Sequence, residues 1–279
     1  MGKIHDALQR AEEERAQLAT VFEEPGDDEL LGAPGEDEVP RRRALQFLSA
    51  IGSRLRSARL NVIPAVSDAS ATEEYRSVRQ RIHSLRRARE IRSIVVTSAL
   101  AGEGKTTTAI NLAHSFGLEA EANTCLVDCD MRAPGVHHAL PTPPALGLVE
   151  LLDGDAKLED VLIRLDGTRL SVLPVRALPT QPSELLASRK MSELLDELHT
   201  RFDTVVLDAP PIAGLPDATA LVDLCDAALL VVAAQMTQRD EIDAALDRID
   251  RTKILGTVFN RFGNPVAPYG YGSPGFRSR

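Results

Sequence analysis

Hydrophobic and polar positions divide the chain into regions with different periodicities. From Arg92 onward, short apolar runs alternate with amphipathic stretches, and the runs predict strands at Ser93–Thr97, Thr124–Asp128, Leu170–Pro174, Thr204–Asp208, Ala228–Val232 and Ile254–Phe259. Between them lie helical patterns, among them 107–116 and the i, i+3, i+4, i+7 set Met191, Leu194, Leu195 and Leu198. Continuously apolar strands separated by helices imply an α/β fold, a mainly parallel sheet covered by helices on both faces. Upstream, Tyr75, Val78, Ile82 and Leu85 recur at helical spacing, and Ser70 with Glu73 predicts a capping box at the start of that helix. Near the start, Ile4, Ala7, Leu8 and Ala11 give a short helix over 3–18 only a narrow apolar stripe. Residues 20–40, rich in Glu, Asp, Gly and Pro, predict a disordered linker, and 41–69 are ambiguous, interrupted by Pro64. The expected organisation is a short helix over 1–19, a largely disordered linker over 20–69, an α/β domain over 70–263 and a flexible tail over 264–279.

Composition adds two corrections to that picture. The hydrophobic share of 43% suffices for a core, and 4% aromatics with no Trp point to one built from Leu, Val, Ile and Ala. The net charge of −9 is localised: Ala16 to Pro40 carries eight acidic residues and no Lys or Arg, so the remainder is close to neutral. From Arg41 to Arg92 thirteen Arg stand against Asp68, Glu73, Glu74 and Glu90, a block able to face anionic lipid, nucleic acid or an acidic segment, or simply to be a solvated helix surface. Cys125, Cys129 and Cys225 lack metal-binding spacing and read as reduced core residues. With neither a signal peptide nor a run of 18 apolar residues in the sequence, a cytoplasmic protein is expected, with any membrane role acting through a partner or a surface helix.

The chemistry centres on Ala99-Leu100-Ala101-Gly102-Glu103-Gly104-Lys105-Thr106, a P-loop between an apolar strand and a helix. Gly102 and Gly104 let the backbone curl so that successive N–H groups face phosphate oxygens. Lys105 reaches the β/γ-phosphates, and the Thr106 hydroxyl is placed to ligate Mg²⁺. Gly102, Glu103, Gly104, Lys105, Thr106 and Thr107 are therefore the expected ATP-binding stretch. Two further strand ends carry carboxylates, Asp128 with Asp130 and, after Val205-Val206-Leu207, Asp208. Because ligands bind beyond the carboxyl ends of parallel strands, all three are expected to converge on the nucleotide, with Asp208 holding Mg²⁺ through water.

The stretch from Thr97 to Pro134, with Pro182–Ser188, Val205–Pro211 and Gly256–Arg261, resembles the bacterial tyrosine kinases of capsule and exopolysaccharide synthesis, over roughly residues 70–262. Met1–Leu8 resembles the subgroup encoded with exosortase-type systems. The resemblance implies that Lys105 and Thr106 bind phosphate and Mg²⁺, that Asp128 and Asp130 form an extra acidic motif, with Asp128 also at the metal, and that Asp208 belongs to the second NTPase motif. It implies further that Asn260 lies near the adenine, and that Glu73, Arg76 and Arg79 contact a neighbouring subunit of a ring-shaped homo-oligomer. Asp217 falls where the family often has an Asp after the Pro-Pro turn. Tyr269 and Tyr271 stand where family members carry tail tyrosines phosphorylated in trans, Asp128 or Asp130 taking the phenol's proton. A membrane-embedded chain-length regulator is the implied partner, which would hold the protein at the inner membrane; no nucleic acid is expected. The sequence departs from the family at Gln181, where Asn precedes the Pro, at Arg176, where Gly is common, and in having only two tail tyrosines. A ring-forming ATP-binding regulator with little tyrosine transfer is the first alternative. A partitioning ATPase is the second, disfavoured because Leu100 occupies the position of that class's signature Lys.

Overall fold

The computed structural model describes residues 57–58, 69–140, 143–214, 216–234 and 236–261. The expected helix at 3–18, the linker at 20–40 and the tail tyrosines Tyr269 and Tyr271 lie outside these residues. The elements, in chain order, are β1 (Ser57–Ala58), α1 (Ala69–Arg86), β2 (Ser93–Ser98), α2 (Lys105–Gly117), β3 (Thr124–Asp128), α3 (Leu148–Asp153), α4 (Leu158–Val161), β4 (Ile163–Leu165), β5 (Leu170–Leu173), α5 (Pro182–Leu186), α6 (Arg189–Arg201), β6 (Thr204–Asp208), α7 (Asp217–Leu224), β7 (Ala227–Ala233), α8 (Arg239–Leu246) and β8 (Ile254–Asn260).

The strands form one sheet in the order β1-β4-β5-β3-β6-β2-β7-β8. Every neighbouring pair is parallel except β4 with β5. All six strands expected from the apolar runs are present; the three-residue β4, whose Ile163 is half-buried and Arg164 exposed, has no apolar run to announce it. Side-chain alternation sends the central strands to two faces. Ile94, Val96, Leu126, Val206, Leu229 and Val231 pack with Ile82 of α1 and Ile110 and Phe116 of α2. On the other face Val95, Cys125, Val127, Val205, Leu207 and Leu230 pack with Met191, Leu194, Leu195 and Leu198 of α6 and Leu221 of α7. The helical stripes read from the sequence are thus the buried stripes, and the three cysteines are free and buried. Among the described residues no helix is long and apolar enough to cross a membrane.

Two expectations change. Helix α1 begins at Ala69, so Ser70 lies inside it rather than capping it, and Glu73 is taken by Arg76 at 2.8 Å. The described part of the arginine block is also largely used within the molecule. Arg79 donates to the carbonyl of Ser115, near the C-terminus of α2, and lies 3.4 Å from Glu119. Arg86 donates to Thr204 Oγ1 at 2.8 Å and stacks over Phe116. Arg89 reaches the Thr252 carbonyl, and Arg92 the carbonyls of His199 and Phe202 at the end of α6. Guanidinium groups suit this work because they satisfy the carbonyls and the dipole left open at helix C-termini.

The entry to the central strand is fixed by Asp226. Its Oδ2 accepts from the backbone N–H of Arg92 and Ser93, both at 2.8 Å, and from Ser93 Oγ at 2.9 Å, while Asp226 N–H donates back to Ser93 Oγ. Burial would raise this carboxyl's pKa, but the Ser93 and Arg92 donors outweigh it and hold the value below the ordinary range. Asp226→Ala strands buried donors at the start of β2 and is expected to cost about 2–3 kcal/mol in urea unfolding at pH 7. Because the folded-state pKa is depressed, the wild-type advantage is present above the ordinary carboxyl range and shrinks as pH falls through the folded value, so the gap between the two proteins should narrow in acid.

Candidate functional site

The register brings the acidic strand ends together. Asp128 is the pairing partner of Asp208, and Asp208 pairs in turn with Val96, three residues before the P-loop begins. The P-loop follows β2 and delivers Lys105 as the first residue of α2. Gly102 and Gly104 have φ values of 81° and 93°, in the region that favours glycine, and a Cβ on Gly104 would collide with the Asn260 side chain. Gly104 is the N-cap of α2, so the helix has no side-chain cap. Its first-turn N–H groups, with the positive end of the helix dipole, are thereby left for an anion.

Lys105 Nζ lies 2.5 Å from Asp130 Oδ2, with the two side chains 11% and 3% exposed. Asp130 Oδ1 also accepts from the Ala133 N–H at 3.0 Å. Asp128 works differently: Oδ1 accepts from Asp130 N–H and Oδ2 from the N–H groups of Gly135 and Val136, at 3.1–3.2 Å. Asp128 thereby folds the loop after β3 back over the P-loop, bringing Gly135 against Thr106. Asp208 is the odd one out. It is fully buried, and neither carboxylate oxygen finds a hydrogen-bond partner among the described residues; Thr106 is close enough to lower its pKa without meeting hydrogen-bond geometry.

Burial, reinforced for Asp128 by the charge of Asp208, raises Asp128 to about 8. Burial likewise raises Asp208 to about 7, against the opposing pull of Lys105 and Thr106. No three acidic, His or Cys side chains among the described residues form a cation cage by themselves. That suits Mg²⁺, which commonly takes one or two protein oxygens and completes its shell with phosphate and water. Thr106 and the unpartnered Asp208 fit such a role; Asp128, with its oxygens committed to backbone donors, fits it less well.

The remaining expected residues are placed as follows. Glu103 turns its side chain inward: Oε2 accepts from Leu100 N–H at 2.5 Å, and Oε1 accepts from Ala233 N–H at 3.0 Å and from Thr237 Oγ1. Its carboxylate thus ties the phosphate loop to the end of β7 and the segment after it. Asn260, at the end of β8, donates to the Glu103 carbonyl at 2.9 Å, which puts it against the P-loop. Thr107 is exposed on the first turn of α2. Glu73 and Arg76 are exposed and paired to each other, whereas Arg79 points into the molecule, so the three do not present one outward surface. The sequence reading did not anticipate Arg132, whose Nε donates to Asp217 Oδ2 at 2.8 Å and whose Nη2 donates to Ser183 Oγ at 2.9 Å. Its position two residues after Asp130 was the one available signal.

An uncapped helix behind a glycine cradle, one lysine and three converging carboxylates define a P-loop nucleotide-binding protein. In agreement, the AAA domain family matches residues 91–254. Tyrosine-protein kinase YwqD of Bacillus subtilis is 34% identical over 212 residues, 75% of this chain and 88% of that protein. Tyrosine-protein kinase CpsD of Streptococcus agalactiae is 31% identical over 227 residues, 79% and 98% of the two chains. Among solved structures, the chimerical protein CapA2B2 superposes with a TM-score of 0.67 at 31% identity, covering 74% of this chain and 93% of the other. The kinase domain of Escherichia coli tyrosine kinase ETK gives 0.63 at 25% identity, covering 72% and 80%. The chain belongs to the P-loop bacterial tyrosine kinases of capsule and exopolysaccharide synthesis, and it is an ATP-dependent tyrosine kinase.

The buried carboxylates have a measurable signature in the nucleotide-free protein. Asp208 is raised above its ordinary value, so its contribution is most favourable at low pH and is lost as pH climbs from about 4 through about 7. Asp208→Asn removes that dependence. It is expected to leave stability little changed at pH 5 and to raise it at pH 8 by on the order of a few kcal/mol. Thermal unfolding at the two pH values checks this; an equal shift at both would show that Asp208 titrates normally.

Proposed function

We propose that the chain transfers the γ-phosphoryl group of Mg-ATP to tyrosines of its own kind, Tyr269 and Tyr271 in a neighbouring copy. We further propose that this autophosphorylation regulates capsule or exopolysaccharide polymerisation and export through ring assembly. The observation that carries the reading is the buried set of Lys105, Asp128, Asp130 and Asp208 beside an uncapped helix start. Such a set is costly unless ligands complete it.

In this reading the N–H groups from Gly102 to Thr107 and the Lys105 ammonium bind the phosphates, with Asn260 toward the base. Thr106 and Asp208 hold Mg²⁺, which supplies charge neutralisation on the phosphate oxygens when bound. Lys105, drawn to the phosphates, leaves Asp130, whose freed carboxylate accepts the proton of the tyrosine hydroxyl. The phenolic oxygen forms the new P–O bond as the bond to the ADP oxygen breaks. Asp128 is the alternative proton acceptor, but its oxygens are engaged in shaping the loop. Positioning of the acceptor and charge stabilisation supply most of the rate in this chemistry.

The ring is proposed to use the exposed pair Glu73 and Arg76 of α1, with Arg79 fixing the angle at which α1 leaves the domain. A membrane-embedded chain-length regulator is the proposed activator, and the protein is proposed to sit at the inner membrane through it. The partitioning-ATPase reading has less support. Leu100 holds the signature position of that class, and the cell-division ATPase MinD of Pyrococcus furiosus superposes with a TM-score of only 0.50, at 26% identity.

The deciding experiment incubates the full chain and its activator with Mg-ATP and maps phosphotyrosine by mass spectrometry. Wild type is expected to be modified at Tyr269 and Tyr271. Lys105→Met should lose both ATP binding and modification, whereas Tyr269→Phe/Tyr271→Phe should lose only modification. Unmodified tail tyrosines in wild type alongside normal ATP binding would sink the autokinase reading. Glu73→Ala/Arg76→Ala is expected to lower the oligomer mass in size-exclusion light scattering while preserving the fold; an unchanged mass would remove this pair from the assembly surface.

A further inference from the structure

We propose that Asp217, acting through Arg132, is a positioning residue that holds the Asp128–Arg132 segment in the geometry needed for phosphoryl transfer, with Ser183 as its second anchor. Three loops meet here. Arg132 follows β3, Ser183 sits in α5 after β5, and Asp217 opens α7 after β6; these three strands are neighbours in the sheet. Arg132 Nε donates to Asp217 Oδ2 at 2.8 Å, Arg132 Nη2 donates to Ser183 Oγ at 2.9 Å, and Ser183 Oγ donates to Asp217 Oδ1. The triangle is closed.

The burial is asymmetric in a way that suits a brace. Asp217 is 1% exposed and fixed as the first residue of an eight-residue helix, whose N-terminal dipole favours its charge. Arg132, 38% exposed, is the more solvent-accessible partner and is held by the buried carboxylate. A guanidinium donates to acceptors on two different elements at once from a planar fork; an ammonium lacks that fixed geometry. The near end of the acidic segment is set by β3, where Asp128 pairs with Asp208. The far end is set by Arg132. Asp130 lies two residues from each, and its contact with Lys105 depends on both ends being held. The network touches neither the P-loop nor α2 through any of these bonds. Its loss should therefore affect transfer rather than nucleotide binding.

This proposal rests on the kinase reading, and the experiment separates the two. Full-length wild type, Asp217→Asn, Arg132→Ala, Arg132→Lys, Ser183→Ala and Arg132→Ala/Asp217→Asn are compared. Each is measured for phosphotransfer to a tyrosine-containing peptide, for affinity toward a fluorescent ATP analogue, and for amide hydrogen exchange over 128–135. Asp217→Asn and Arg132→Ala are expected to lower kcat by about tenfold or more, because small displacements of reacting groups are that costly. The dissociation constant for the analogue should stay within about threefold, the signature of an interaction used in the transition state rather than in uniform binding. Arg132→Lys should recover part of the loss, and the double variant should be no worse than its poorer parent, since both substitutions break one link. Exchange over 128–135 should accelerate while α2 stays protected. Unchanged kcat in a folded Asp217→Asn, a parallel loss of nucleotide affinity, or additive losses in the double variant would each overturn the proposal. If Asp217→Asn does not fold, Ser183→Ala decides, because it removes a single hydroxyl; unaltered kcat and exchange there would refute the brace. If wild type transfers no phosphate, the kinase reading fails, while the exchange measurement still tests the brace.

Discussion

The structure is organised around acidic side chains kept out of water. Asp128, Asp130 and Asp208 are 0%, 2% and 0% exposed, and among the described residues Lys105 is the one cation paired with any of them, through Asp130. Desolvation disfavours the charged forms of such an assembly, and burial accordingly raises Asp128 and Asp208 above the ordinary carboxyl range. The sheet bears it because its central strands are buried on both faces, which supplies cohesion independent of the site. Parallel pairing in register also leaves no freedom in where the charges sit: Asp128 and Asp208 are adjacent because Val127 and Leu207 are. The site is a stored strain that cation and phosphate are suited to relieve.

The same arrangement separates the three carboxylates by what surrounds them, though they look alike in sequence. Asp128 accepts three backbone N–H groups and acts as the fold of its own loop. Asp130 is held by the ammonium of Lys105, the P-loop lysine. Asp208 has oxygens with no donor in hydrogen-bond geometry among the described residues, only the nearby Thr106 hydroxyl, a condition that suits a ligand-binding group. Burial alone would have ranked all three together; the count of donors facing each oxygen distinguishes them.

Much of the scaffold was legible in the sequence, because six strands are fully or nearly apolar runs and the helices between them carry stripes such as Met191–Leu198. The P-loop and the acidic strand ends were legible for a related reason: Gly102, Gly104, Lys105 and Thr106 have a fixed spacing set by phosphate geometry, and Asp128 and Asp208 each close an apolar run. What the sequence concealed are contacts whose partners are distant along the chain. Glu103 reads as a P-loop residue, yet its carboxylate is spent on Leu100, Ala233 and Thr237. Arg79, Arg86, Arg89 and Arg92 read as a basic surface, yet they close helix ends and loops elsewhere in the domain. Strand β4 has too few buried side chains to leave a periodic trace.

A common physical cause lies behind these hidden contacts. The loops at the carboxyl ends of parallel strands must be open enough to admit a ligand and rigid enough to orient it, and apolar packing cannot do both at a rim that water reaches. Inward-facing carboxylates solve the problem, since each gathers two or three donors from different loops at one point. Glu103 does this on the β7 and β8 side of the phosphate loop, and Asp217 does it with Arg132 and Ser183 on the β3 and β5 side. Asp226 performs the same task at the opposite end of β2. Carboxylates thus hold the loops on both sides of the phosphate loop in shape, and Asp128, with three backbone donors, does so from within the buried acidic cluster itself.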